Sequence, residues 1–368
     1  MLTEILLNYK HRPLVKGKVV KYFPAHIMVD IVVHGSIIQD LVSDNSNDKR
    51  NYNRFFSGDL ISMLDYPSTC IHRNASHYTD HFPRPGETIK GTFALSSGGK
   101  GANQAAQAAL LGATVCMIGR VGNDVFGASN VDNLRSFGVN TEHVDVSDSA
   151  KTGCATIIVT KEGENSIVIA PGANLETSPS RIDELEKVIA STKLVLCQNE
   201  TAYESVKRIF ELARKHNVQT FLNFAPVEET FGKNILKLTD ILCANEIEAE
   251  YLANQHIESI EDAQKAAKKL LEAGPLIVIL TLGEKGAIYD SKHGDSGHIT
   301  VPRVEVVETT GAGDSFCGAF AYFHVKRPEL ELKEQIRRAA YISTLSVQRK
   351  GTRDSYLSPK DLSPNLFL

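Results

Sequence analysis

The stretch Glu308-Thr-Thr-Gly-Ala-Gly-Asp-Ser315, running into the helical segment Phe316 to His324, is the most informative part of this chain. Two glycines at a strand-to-helix junction leave backbone N–H groups uncovered and aimed at one point. The helix N-terminus adds positive potential there, which suits a phosphate oxygen or a developing anion. Asp314 follows the glycines directly. A carboxylate beside an anion site repels phosphate unless it serves as a base or binds a cation. Helix N-capping is an equally ordinary role for Asp, and the segment alone leaves both readings open.

The strand-then-helix pattern recurs along the chain. Short β-branched runs at Asp30 to His34, Thr114 to Ile118, Leu194 to Cys197, Thr220 to Asn223, Ile241 to Cys243 and Leu276 to Thr281 read as strands. Between them Asn103 to Leu111, Val131 to Phe137, Glu204 to Lys215, Ile247 to Leu252 and Glu261 to Ala273 carry helical periodicity. Nearly all-apolar strands alternating with helices imply an α/β fold whose mostly parallel sheet is covered on both faces. Two stretches break the rhythm. Cys154 to Thr160 and Asn165 to Ala170 alternate in polarity around the turn-like Lys161-Glu-Gly-Glu164, which predicts a hairpin and a candidate lid. Residues 44–77 are polar and without period, an atypical insertion of a length uncommon inside compact domains.

The 368 residues, 42% of them hydrophobic, suffice for a large core. A net charge of −4 gives no general attraction to nucleic acid or anionic membrane. No apolar run approaches the ~20 residues that span a bilayer. Six cysteines without CxxC pairing read as free thiols of a reducing compartment, the cytoplasm with the nucleus also open. Residues 1–27, basic but poor in serine and interrupted by Pro13, Gly17 and Pro24, read as a disordered or spurious extension ahead of the fold at 28–368.

Three more segments carry chemistry. Ser97-Gly-Gly-Lys-Gly-Ala-Asn-Gln104 surrounds Lys100 with glycines that let backbone approach a polyhydroxylated ligand, and Asn103 offers both donor and acceptor. It lacks the spacing of a Walker A loop, and no G-x-G-x-x-G follows the first strand, which disfavours an NAD enzyme. In Asn245-Glu-Ile-Glu248, Asn245 caps a helix and Glu248 complements its dipole, or the pair stands at phosphate level with Glu248 in the water shell of Mg²⁺. Thr281-Leu-Gly-Glu-Lys-Gly286, ending a strand, could wrap a nucleotide.

Together these motifs resemble the ribokinase-type (pfkB) carbohydrate kinases from about Met28 to the C-terminus, interrupted only by residues 44–77. The family signatures correspond to Gly98-Gly-Lys-Gly-Ala-Asn-Gln104 and Thr309-Thr-Gly-Ala-Gly-Asp-Ser315, with Pro85-Gly-Glu-Thr88, Pro171-Gly-Ala-Asn174, Asn223-Phe-Ala-Pro226 and Arg349-Lys-Gly-Thr352 in support. The resemblance implies a Rossmann-type sandwich with a small β-sheet lid, drawn from about 86–95 and 152–170, that pairs with a second subunit's lid. It implies transfer of the γ-phosphate of ATP to O5 of D-ribose. The alternatives are a kinase for 2-deoxyribose, fructose or a nucleoside, or a silent sugar- or nucleotide-binding protein.

By family position Asp314 is the base, and the Gly311-Ala312-Gly313 amides are the anion hole. Asp40, Gly98, Gly99, Lys100, Asn103 and Glu200 hold the sugar. Asn245, Thr281, Leu282, Gly283, Glu284, Lys285, Gly286 and Gly313 meet ATP, with Glu248 on Mg²⁺ through water. Glu308, Thr310, Ser346, Arg349, Gly351 and Ser355 match a K⁺ site. The chain departs from the family pattern at Glu308, where Asp is usual, at Ala340, where an Asn or His near adenine is expected, and at Ile38, which is Asn in some members.

Overall fold

The computed structural model describes residues 28–43, 82–89, 93–160 and 165–367. The expected extension at 1–27, the polar insertion at 44–77 and Cys70 lie outside the described residues. In chain order the strands are β1 (Ile31–His34), β2 (Ile38–Ser43), β3 (Ala94–Gly98), β4 (Val115–Gly122), β5 (Asn140–Ser147), β6 (Gly153–Val159), β7 (Asn165–Ala170), β8 (Leu194–Gln198), β9 (Gln219–Asn223), β10 (Ile241–Asn245), β11 (Ile277–Thr281), β12 (Ala287–Ser291) and β13 (Ser296–Ile299). The helices are α1 (Lys100–Leu111), α2 (Val125–Ser136), α3 (Pro179–Glu184), α4 (Glu186–Ala190), α5 (Tyr203–Lys215), α6 (Glu246–Ala253), α7 (Ile260–Glu272), α8 (Ala312–Lys326) and α9 (Leu332–Ser346).

A nine-stranded sheet runs in the order β13-β12-β11-β10-β9-β8-β1-β4-β5. From β11 to β5 the pairs are parallel, while β12 and β13 add antiparallel at one edge. The period of two in each strand sorts its side chains onto opposite faces. Ile31 and Val33 of β1 join Val115, Leu196, Phe221 and Ile279 in a core closed by α1, α8 and α9. Val32 faces the other way, with Ile118, Val195, Leu222 and Leu280, under α5 and α7. Both faces are therefore covered, as the apolar runs require.

A second sheet of four strands, β3-β2-β6-β7, stands apart from the first. The β6–β7 hairpin is the one read from the alternating pattern. In the other stretch expected to feed the lid, Gly86 lies in a turn with φ 81°, and strand begins only at Ala94. Strand β2, which carries Asp40 into the lid, had no apolar signature to reveal it. The residues leading into the glycine motif also differ from expectation. Residues 301–310 are irregular rather than a strand, so helix α8 is entered from a loop.

Phe320 of α8 is fully buried, edge-on to Phe221 of β9 at 5.6 Å and stacked on Phe316 at 6.4 Å. It joins the helix that carries Asp314 to the sheet. Truncating Phe320 to Ala should cost about 3–5 kcal/mol of unfolding free energy. Urea denaturation checks this, and a loss below about 1 kcal/mol would remove Phe320 from that role.

Candidate active site

Parallel strands end together, so the residues following them share one edge of the sheet. Ser36 follows β1, Glu200 follows β8, and Asn223, Asn245 and Thr281 end β9, β10 and β11. Asn245 and Thr281 are register partners, as are Gln198 and Asn223. The N-termini of α1 and α8 point into the same region, bringing the two glycine motifs to the ends of these strands.

Gly311 starts α8 in the left-handed region (φ 79°), and a side chain there would strike Thr352 Cγ2 at 2.5 Å. Tyr356 donates its hydroxyl to Gly311 O at 3.2 Å and fixes the turn. The Ala312 amide donates to Thr309 O at 3.1 Å, whereas the Gly313 and Asp314 amides have no backbone acceptor among the described residues. Nothing lies within 4 Å of where a Gly313 Cβ would stand. Uncovered amides facing open space at a helix N-terminus can take an anion, and of the three amides expected to do so Ala312 is already engaged. No side chain caps the helix, so Asp314 is not its N-cap.

Asp314 is 7% exposed. Its Oδ2 accepts from Asn103 Nδ2 at 2.9 Å and its Oδ1 from Gln104 Nε2 at 2.8 Å. Gln104 is itself held by Gln198, whose Nε2 donates to Gln104 Oε1 at 2.7 Å, and it also donates to Asn223 Oδ1 at 2.9 Å. Helix α1 thus grips both oxygens of the carboxylate, and adjoining strand ends hold the grip.

Around Asp314 stand Glu200, Lys100 and Asp40. Glu200 Oε2 accepts from the Ser36 hydroxyl and from the Lys100 amide at 2.9 Å. Burial pushes the Glu200 carboxyl up, against the pull of Lys100 and those two donors. Burial also depresses the Lys100 ammonium, but the carboxylates of Asp314, Glu200 and Glu248 outweigh it, and the net is upward. Burial pushes the Asp40 carboxyl up to about 7, opposed by the Arg353 guanidinium and aided by Glu200 and Asp314. The Asp40 carboxylate lies against the α-carbon of Gly98, where a Cβ would come within 2.1 Å of Oδ2. Only glycine fits that position. Gly99, with φ 93°, turns the chain from β3 into α1.

At the neighbouring strand ends, Asn245 and Glu248 form a capping box. Asn245 Oδ1 accepts from the Glu248 amide at 2.9 Å, and the Asn245 amide donates to Glu248 Oε2 at 2.8 Å. Burial still pushes the Glu248 carboxyl up to about 7, against that hydrogen bond and Lys100. The 3-10 turn Gly283–Lys285 follows β11, closed by Leu282 N–H to Gly286 O at 2.8 Å. Lys285 pairs with Glu246 at 3.2 Å, Gly283 faces open space, and the turn leaves backbone edges beside α6. Ala340, which stands where the family pattern has an Asn or His near adenine, is buried. Ile38 is buried and opens β2 opposite Gly98.

The side chains of the expected cation site are mostly engaged locally. Glu308 Oε2 accepts from the Gly351 amide at 2.8 Å, and Val347 O accepts from the Val307 amide at 2.8 Å. The Ser346 and Ser355 hydroxyls already donate to Ser343 O and Thr352 O, at 2.8 and 2.6 Å. Arg349 pairs with Asp361 at 3.2 Å, and Thr310 is exposed. Among the described residues no cluster of three His, Cys, Asp or Glu could hold a metal ion.

Residues 68–359 match the pfkB family carbohydrate kinases. The chain belongs to that family. This kinase is 40% identical to the ribokinase of Mus musculus over 291 residues, 78% of its own length and 90% of the relative's. It is 35% identical to the deoxyribokinase of Salmonella typhi over 292 residues, 79% and 94% of the two chains. Among solved structures, Arabidopsis thaliana ribokinase complexed with ribose and ATP superposes with a TM-score of 0.77 at 28% identity, covering 91% and 97%.

The sequence reading of this pfkB kinase missed the residues that hold the others in place. Gln104, Gln198, Asn223 and Arg353 are all buried and hydrogen-bonded around Asp314 or Asn103. Gln104 lay inside a quoted motif, but as an amide in an Ala-rich helix it had no chemical signature of its own.

Asp40 makes a stability prediction. Its folded pKa lies above the usual value near 3.9, so the ionised form costs folding free energy that grows as pH rises from about 4 to about 7. Asp40→Asn removes that cost. Its melting temperature relative to the wild type should therefore be higher at pH 8 than at pH 5, by thermal unfolding at both. An equal difference at the two pH values would place the Asp40 carboxyl in an ordinary environment.

Proposed function

We propose that the kinase transfers the γ-phosphoryl group of ATP to O5 of D-ribose, giving D-ribose 5-phosphate and ADP. The observation that carries this is the buried Asp314 carboxylate, held by Asn103 and Gln104 beside the open amides of α8. The likeness to a ribokinase supports ribose, and the likeness to a structure complexed with ribose and ATP supports the pair of substrates.

Asp40, Gly98, Gly99, Lys100, Asn103 and Glu200 bind the sugar hydroxyls and aim O5 at Asp314. Asp314 accepts the proton of that hydroxyl as the oxygen bonds to the γ-phosphorus and the bond to ADP breaks. The Gly313 amide, with that of Gly311 at the same turn, faces the charge spreading over the phosphoryl oxygens, while the Ala312 amide is held by Thr309 O. Asn245 and the turn from Thr281 through Leu282, Gly283, Glu284 and Lys285 to Gly286 receive the nucleotide. Positioning and fixed dipoles supply most of the rate gain, because the protein forms no covalent bond.

Glu248, a buried carboxylate close enough to Lys100 and Asp314 to feel both charges, would hold Mg²⁺ through water and the substrate's phosphates, where the ion would neutralise phosphate charge. Glu308 with the backbone carbonyls near Thr310, Ser346, Arg349, Gly351 and Ser355 fits K⁺, because the nearby hydroxyls are already engaged. The lid supports a homodimer. Edge strand β7 exposes Ile167, Val168 and Ile169 at 51%, 69% and 46%, an apolar run that a second lid would cover. Among the described residues no helix is long and apolar enough to cross a membrane. The free thiols support a reducing compartment, the cytoplasm or nucleus. A second reading, phosphorylation of 2-deoxyribose, is favoured by the deoxyribokinase likeness.

ADP release should be measured with ribose, 2-deoxyribose, fructose and adenosine, in K⁺ and in Na⁺. Ribose should support the fastest turnover, with K⁺ above Na⁺. Asp314→Ala should lower kcat about 10²–10⁴-fold while the ribose KM changes less than about threefold. Faster turnover of 2-deoxyribose would move the assignment to the second reading, and no turnover with any sugar would end both.

A further inference from the structure

Arg353 opens the 3-10 turn Arg353–Ser355, downstream of α9, and is 3% exposed. Its guanidinium forms no ion pair among the described residues. Instead its three nitrogens reach three separate elements. Nε donates to Asn103 Oδ1 of α1 at 2.8 Å, Nη1 to Asn133 Oδ1 of α2 at 2.7 Å, and Nη2 to Gly98 O at the end of lid strand β3. A buried cation bound only by neutral oxygens is unusual, because desolvating a charge is costly unless something nearby compensates it. The carboxylates of Asp40 and Asp314 lie close enough to attract it without touching it.

The geometry points to Arg353 as a positioning residue that fixes the orientation of the Asn103 side chain and, through it, the Asp314 carboxylate. An amide can present either its oxygen or its nitrogen to a given neighbour. Arg353 has only donors, so it claims the Asn103 oxygen. That leaves Nδ2 to donate to Asp314 Oδ2 at 2.9 Å, so the amide cannot turn its oxygen toward the carboxylate. The bond to Gly98 O ties the same guanidinium to the root of the lid, so one side chain references the sugar floor and the base to each other.

The test uses the whole chain and has two arms. The kinetic arm rests on the sugar-kinase reading and compares Arg353→Gln and Arg353→Lys with the wild type, alone and with Asn103→Ala. If Arg353 acts through Asn103, Arg353→Gln lowers kcat for ribose about 10–100-fold in the wild-type background but less than about threefold once Asn103 is gone. Arg353→Lys, which retains a donor, recovers part of the loss. Equal factors in both backgrounds would reduce Arg353 to a structural residue and overturn the proposal. The second arm needs no activity, so a chain that phosphorylates no sugar still tests the arginine. With ¹⁵N-labelled asparagine, the Asn103 side-chain amide is assigned by its loss in Asn103→Ala. Its signals should shift and lose protection from exchange in Arg353→Lys, the milder variant, and in Arg353→Gln if that folds. Unchanged Asn103 signals in a folded Arg353 variant would overturn the proposal.

Discussion

The site depends on the hold that α1 has on the Asp314 carboxylate, and that hold depends on how closely α1 and α8 approach. Gly318 makes the approach possible, since a Cβ there would stand 2.6 Å from Gln104 O. The small residues Ala102, Ala105 and Ala108 line α1 at the same interface, and Ser315 Oγ donates to Gln107 Oε1 at 3.0 Å across it. With the helices this near, side chains as short as Asn103 and Gln104 span the gap and take one carboxylate oxygen each. A wider crossing would leave the carboxylate free to rotate, and a base that rotates loses the geometric advantage that makes proton transfer effective.

Electrostatics adds a second constraint. Asp40, Glu200, Glu248 and Asp314 lie in one region where the nearby cations are Lys100 and Arg353. Burial raises the cost of ionising Asp40, Glu200 and Glu248, and the Asp314 carboxylate nearby adds to it. Such an arrangement is poor for stability and suited to binding: hydroxyl donors and a polyphosphate with its cations would supply the missing counterparts. The surface pairs elsewhere, such as Arg337–Glu334 at 2.6 Å, are solvated and contribute little either way.

How much was legible in the sequence follows from which residues are chemically conspicuous. Strands buried on both faces, such as Leu194–Gln198, are unbroken apolar runs, and they were readable. Strand β5, Asn140–Ser147, is an edge strand with only two residues fully buried, and its Asn-Thr-Glu-His opening hides it. Strands β2 and β3 are Ser-, Gln- and Asp-containing lid strands for the same reason. In the site, glycines announced themselves because the chain turns sharply or passes close to a carboxylate, as at Gly98 and Gly311. Gln198 and Arg353 did not, because a Gln at a strand end or an Arg in a turn is ordinarily a solvent-facing residue, and only tertiary structure shows these two to be buried.

The separation of the two sheets explains why the binding residues are divided as they are. The large sheet fixes Asn223 between Gln198 and Cys243, Thr281 between Asn245 and Ala287, and Asn245 against Thr281, so these strand-end residues rest on paired backbone. Asp40 instead belongs to the four-stranded lid, joined to the core through Ile37 and Gly98 to Lys100. Asn174 braces this joint, donating to Ile37 O at 3.0 Å and accepting from the Ile37 amide at 2.8 Å. A lid movement that pivots there would shift Asp40 relative to Asp314 while leaving the anion hole in place. On the proposed reading, the Asp40 contact to the sugar would then vary with lid position and phosphoryl positioning would not, which suits a kinase that must exclude water only after its sugar is bound.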